Sequence, residues 1–170
     1  MTWGRVHISS GFLLLVAWLL YCDNQGIVPL ALLACAFHEG GHWLMIRLLG
    51  GSVRSIFLTV SGAAMTLNSE LSYGGELLAA AAGPLMNLLL SAVVCKFPWG
   101  ELFAGLNLAL AALNLLPVLP LDGGRILRCA LCMAVGEQAS GAICRGSGLL
   151  FAGGLLGLSL WSASRGGNLT

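Results

Sequence analysis

Charge is what this sequence has least of. Eight basic and seven acidic residues serve 170 positions, 9% of the chain, against 58% hydrophobic residues and a mean hydropathy of +0.90. A soluble domain of this length needs a charged coat that so few residues cannot supply, which makes the lipid bilayer the expected solvent for most of the surface. Net charge is +1 and no run of lysine or arginine occurs. That removes the electrostatic case for nucleic acid and for a patch that binds anionic lipid. A small-x-small cleavage site is missing after the apolar run Gly11 to Tyr21, where Asp23, Asn24 and Gln25 follow instead. A retained first membrane segment is expected there rather than a cleaved signal peptide. Of the six cysteines (Cys22, Cys35, Cys95, Cys129, Cys132 and Cys144), Cys129 and Cys132 have C-x-x-C spacing but lack a second pair to complete a zinc site. They read as small hydrophobes in a packed helix, and nothing demands an oxidising compartment. Internal repeats, low-complexity tails and interdomain linkers are also lacking, so one membrane-embedded domain over residues 1–170 is expected.

What is present is apolar sequence in helix-sized pieces. Spans near the ~20 residues that cross a hydrocarbon core run from Ile27 to Leu49, from Glu76 to Lys96 and from Ile143 to Ala163, with a shorter one from Gly11 to Tyr21. Leu102 to Val135 is long enough for two passages, but Pro117, Pro120, Gly123 and Gly124 interrupt it. The expected fold class is therefore an all-α polytopic membrane protein of about six transmembrane helices, with a broken helix at the Pro/Gly motif. Irregular backbone at membrane depth needs protein or water to satisfy it, so the break implies an internal cavity. Between the second and third helices, Val53 to Asn68 is rich in β-branched residues and reads as a short strand or hairpin at the membrane edge. Arg5, Arg47, Arg54, Arg125, Arg128 and Arg165 fall on one side if the amino terminus is inside, leaving Lys96 and Arg145 outside. This orients the site toward the cytoplasmic side of what is expected to be a bacterial cytoplasmic membrane.

The run His38-Glu39-Gly40-Gly41-His42 lies inside the apolar stretch Ala31 to Leu49. Positions i and i+4 share a helix face, so both imidazoles can reach one zinc ion while Glu39 sits beside it as the base for a bound water. The bland alternative is two histidines and a glutamate acting as satisfied polar groups between helices. Charged groups at bilayer depth cost roughly 2.5–3.5 kcal/mol each on insertion scales, which favours a functional reading. A catalytic zinc takes three protein ligands. Among the acids Asp23, Glu39, Glu70, Glu76, Glu101, Asp122 and Glu137, all but Glu39 and Asp122 lie at segment ends or in connections, which leaves Asp122 in the proline and glycine break as the third ligand. A membrane metal transporter or metal sensor remains the alternative, since intramembrane histidines also mark ion pathways, although it has no need of Glu39 between them. A catalytically silent scaffold that keeps the motifs is a second.

These residues also carry a resemblance. The stretch from Asn114 through Pro117, Pro120 and Asp122 to Arg125 resembles the second signature of the site-2 proteases, and His38 to His42 resembles the first. Between them, Ala82-Gly83-Pro84-Leu85-Met86-Asn87 is similar to the segment those enzymes carry on an intervening helix. Size and passage number are most similar to the stage IV sporulation protein FB subgroup. The resemblance implies a zinc metalloendopeptidase that cleaves transmembrane or membrane-associated proteins in regulated intramembrane proteolysis, its substrate a sporulation sigma-factor precursor, an anti-sigma factor or a remnant signal peptide. It implies zinc on His38, His42 and Asp122, and Glu39 as general base. It also matches Asn114 and Asn87 to family asparagines, each open between substrate or oxyanion contact and a hydrogen bond that only packs helices. The chain stops soon after its last apolar span, so the CBS domain of that subgroup is not expected here, and regulation is expected to fall to a separate membrane protein. Thr59-Val60-Ser61-Gly62-Ala63 departs from the proline and paired glycines common in the family's hairpin.

Overall fold

The computed structural model describes residues 2–3, 6–60 and 62–164. Arg5, Ser61 and Arg165, used in the sequence-based expectations, lie outside the described residues. Strands β1 (Thr2–Trp3) and β2 (Val6–Ile8) precede helix α1 (Ser10–Cys22). The Ser9 hydroxyl accepts from Phe12 N–H at 3.1 Å and so caps α1. α1 buries none of its residues, and Leu14, Trp18 and Tyr21 are exposed. The Asp23 carboxylate then accepts from the N–H groups of Gln25, Ile27 and Val28 at 2.9–3.1 Å, holding the start of α2 (Ile27–Leu48). Those bonds to the charged form hold the Asp23 carboxyl below its usual range.

α2 buries Ala34, His38, Gly41, His42 and Ile46, the i, i+4 and i+7 spacing of one face. It ends where Gly50 takes a φ of +78°, with Gly50 N–H bonded to Arg47 O at 3.0 Å and Gly51 N–H to Ile46 O at 2.9 Å. Only glycine reaches that conformation without strain, so the chain turns there into a sheet. β3 (Val53–Thr59) and β4 (Gly62–Leu67) form an antiparallel hairpin, in register from Ser55 opposite Thr66 to Thr59 opposite Gly62, with a shift that sets Val53 opposite Leu67. β2 joins β3 in parallel, giving the order β1-β2-β3-β4 with β4 at one edge. The hairpin expected between helices two and three is present; the two amino-terminal strands were not anticipated. Met65 and Leu67 pack with Ile46, Val53 and Ala79, seating the hairpin against the helices.

α3 (Tyr73–Val94) is capped by the Ser72 hydroxyl on Gly75 N–H at 3.2 Å and packs against α2, α4 (Glu101–Asn114) and α5 (Asp122–Val135). Residues 115–121 form the irregular break expected at the proline and glycine motif. A Cβ at Gly123 would run into the backbone of Leu115 and Leu116, and one at Gly124 into that of Val118. This paired glycine is what lets the break fold back on the start of α5. α6 (Glu137–Ser164) is joined to α5 through Ser140, whose hydroxyl donates to Arg128 O at 3.1 Å. Its later turns are exposed and apolar.

Six helices are thus present, but two of them among the described residues, α3 and α6, are long and apolar enough to cross a membrane. α1, α4 and α5 have 13 or 14 residues, short of the ~20 that a perpendicular crossing takes. α2 has the length, with its apolar character diluted by His38, Glu39 and His42. All six cysteines are free thiols, with Cys129, Cys132 and Cys144 buried.

Candidate metal centre

His38 and His42 reach inward from α2 one turn apart, and Asp122 meets them from the first turn of α5. His38 Nε2 lies 3.0 Å from Asp122 Oδ2, His42 Nε2 lies 3.2 Å from the same oxygen, and the two Nε2 atoms are 3.1 Å apart. All three side chains are buried. His42 Nδ1 sits 2.7 Å from the carbonyl oxygen of Ala79, which can only accept, so Nδ1 carries the proton and Nε2 presents its lone pair. His38 Nδ1 is likewise engaged, 2.7 Å from Asn87 Oδ1. Two imidazole lone pairs and a carboxylate oxygen therefore converge on one point. Tetrahedral zinc at 2.0–2.1 Å from its ligands separates them by about 3.3 Å, close to the spacing observed, so the donor set fits that ion.

Close approach of α2 to α3 makes this convergence possible. A Cβ at Gly83 would strike the His42 imidazole and one at Gly41 would press on Ala82 O, so both helices carry glycine where the rings pass between them. The free Asp122 oxygen, Oδ1, faces Arg125 Nη1 at 3.6 Å, and Arg125 Nη2 is 3.6 Å from Glu76 Oε1 on α3. That arginine lies between the two carboxylates as a long, half-exposed ion pair, a contact the sequence reading did not assign.

A cavity of about 1150 Å3 opens on the three groups. Glu39 lines it beside them, as do Asn114, Pro120 and residues 62–65 of the β4 edge. The geometry thus brings together His38, Glu39, His42 and Asp122. Asn114 is on the cavity wall, its Nδ2 donating to Leu110 O of its own helix at 3.0 Å. Asn87 is elsewhere: fully buried behind His38, with its amide engaged on Ala34 O and Asn107 Oδ1. Of the two roles left open for Asn87, the hydrogen bonds observed are those of the packing between α2, α3 and α4. Asn107, also fully buried, was overlooked. Its one sequence signal is an amide standing alone in the apolar stretch from Leu102 to Leu113.

The model of Peptidase family M50 matches residues 97–152, a segment that holds Asn114 and Asp122. The Synechocystis sp. protein sll0528 is 36% identical over 118 residues, covering 62% of this chain and 31% of its own length. Zinc metalloprotease MJ0392 of Methanocaldococcus jannaschii is 30% identical over 153 residues, covering 80% of this chain and 44% of its own length. The chain thus spans less than half the length of these curated relatives. A solved structure titled Site-2 Protease from Methanocaldococcus jannaschii superposes with a TM-score of 0.72 at 26% identity, over 96% of this chain and 84% of that one. By family model, relatives and solved fold alike, this chain is similar to peptidase family M50 and to a site-2 protease.

Proposed function

We infer that the chain is a membrane zinc metalloprotease whose metal is held by His38, His42 and Asp122. The observation that carries this reading is the buried convergence of those three donors in a cavity that also contains Glu39. When bound, zinc supplies a Lewis acid that lowers the pKa of a water to about 7. Glu39 is placed to take that water's proton and return it to the leaving amine. Asn114, on the cavity wall, steadies the substrate backbone or the developing oxyanion. β4 pairs with β3 on one side, so its other edge can add an extended substrate strand over the site. A helical substrate would have to unwind first. The whole of residues 1–170 acts as one membrane-embedded catalytic unit.

The substrate class is a transmembrane or membrane-associated protein. Within it, the resemblance to the sporulation subgroup favours a sigma-factor precursor, with regulation by a separate membrane protein. Arg47 in the last turn of α2, Arg54 on β3 and Arg125 and Arg128 on α5 favour a site on the cytoplasmic side of a bacterial membrane. Purified protein in proteoliposomes should cleave a co-reconstituted membrane substrate, lose cleavage on chelation and regain it with added zinc. Cleavage that persists in metal-free protein would contradict the proposal.

A further inference from the structure

We propose that Asn107 is a positioning residue for the metal centre, acting through Asn87 to fix which nitrogen of His38 faces the ion. Asn107 Nδ2 is 2.8 Å from Phe103 O, and a carbonyl can only accept, so the amide must turn its N–H toward it. Asn107 Oδ1 is thereby left to accept from Asn87 Nδ2 at 2.7 Å. The second Nδ2 hydrogen of Asn87 goes to another backbone carbonyl, Ala34 O, at 3.2 Å. With both hydrogens committed, Asn87 presents Oδ1 to His38 Nδ1 at 2.7 Å, and that nitrogen must carry the ring proton. His38 Nε2 is then a lone pair aimed at Asp122 Oδ2 and His42 Nε2.

Backbone carbonyls of α4 and α2 thus set the polarity of the chain of amides, and the asparagines transmit it. Both amides are fully buried, and every buried side-chain polar atom among the described residues has a partner. His42 needs no relay, because it bonds the Ala79 carbonyl directly. Asn107 lines neither the cavity nor the ligand cluster. Its effect on the site is therefore transmitted through Asn87.

This inference rests on the zinc reading of the triad, and chelator-competition titration of zinc on the full chain in detergent tests both. Leucine keeps the branching and heavy-atom number of asparagine while deleting its hydrogen bonds. Supporting hydrogen bonds to metal-bound histidines are worth 10–100-fold in metal affinity. Asn87→Leu should weaken zinc binding by about that factor, and Asn107→Leu by about tenfold. The double variant should be no weaker than Asn87→Leu alone, since the relay is already cut. Asn107→Gln, which keeps the amide donor and acceptor, should bind zinc more tightly than Asn107→Leu. Additive losses in the double variant, parent-like binding by Asn107→Leu, or Asn107→Gln binding no better than Asn107→Leu would overturn the proposal. His38→Ala is the separate check: zinc binding indifferent to it would overturn the metal reading beneath.

Discussion

Asp122 has two oxygens and two tasks: Oδ2 meets both imidazoles, while Oδ1 is held toward Arg125. A carboxylate so divided is oriented before any ion arrives, which limits the side-chain entropy lost on binding. Replacing it with alanine leaves two donors where a catalytic zinc takes three. Asp122→Ala should therefore lose more zinc affinity than the 10–100-fold expected for a supporting hydrogen bond. Metal content after equilibrium dialysis measures this, and full occupancy would mean that another group completes the site. Much of this was legible at residue scale, because a histidine pair, Glu39 and Asp122 stand out where charge is scarce. Asn87 was seen, but its role was not: an asparagine in an apolar run looks alike in a sequence whether it faces substrate or supports a histidine. Only the carbonyls of Ala34 and Phe103, which no side-chain pattern encodes, decide between the two.

Between elements, the site depends on how near α2 lies to α3. Gly83 leaves the space that the His42 ring occupies, and an added methyl has nowhere to go. Gly83→Ala should destabilise the fold by about 1–3 kcal/mol, as overpacking does, with parallel loss of bound zinc. Gly105→Ala on α4, where a Cβ meets nothing within 4 Å, should be neutral or stabilising by up to ~1 kcal/mol. Thermal unfolding in detergent distinguishes them, and equal behaviour of the two variants would contradict the packing account. The hairpin and the proline break were readable because β-branched residues and Pro/Gly pairs have strong local preferences. β1 and β2 were not. A three-residue strand carries no period, and β2 gains its place by pairing with β3 some fifty residues later.

At the scale of the whole molecule, an apolar exterior surrounds a small buried set of polar groups, the inverse of an ordinary soluble enzyme. Hydropathy made the membrane setting legible. Of the six passages expected, the described residues supply two helices long and apolar enough to cross a membrane, α3 and α6, while α1, α4 and α5 are 13 or 14 residues long, and α4 and α5 carry Asn114 and Asp122 to the cavity. The same arrangement joins the three candidate ligands, Glu39 and the β4 edge in one cavity, so proteolysis and zinc binding should be separable at a single residue. Glu39→Gln keeps the size and removes the basic carboxylate while leaving His38, His42 and Asp122 in place. Zinc content and cleavage of a reconstituted membrane substrate, measured on the same preparation, test the central claim most directly. The account predicts zinc at the parent stoichiometry with cleavage lowered by at least 10²-fold, the lower end of what a general base contributes. Cleavage at the parent rate by zinc-loaded Glu39→Gln would contradict it.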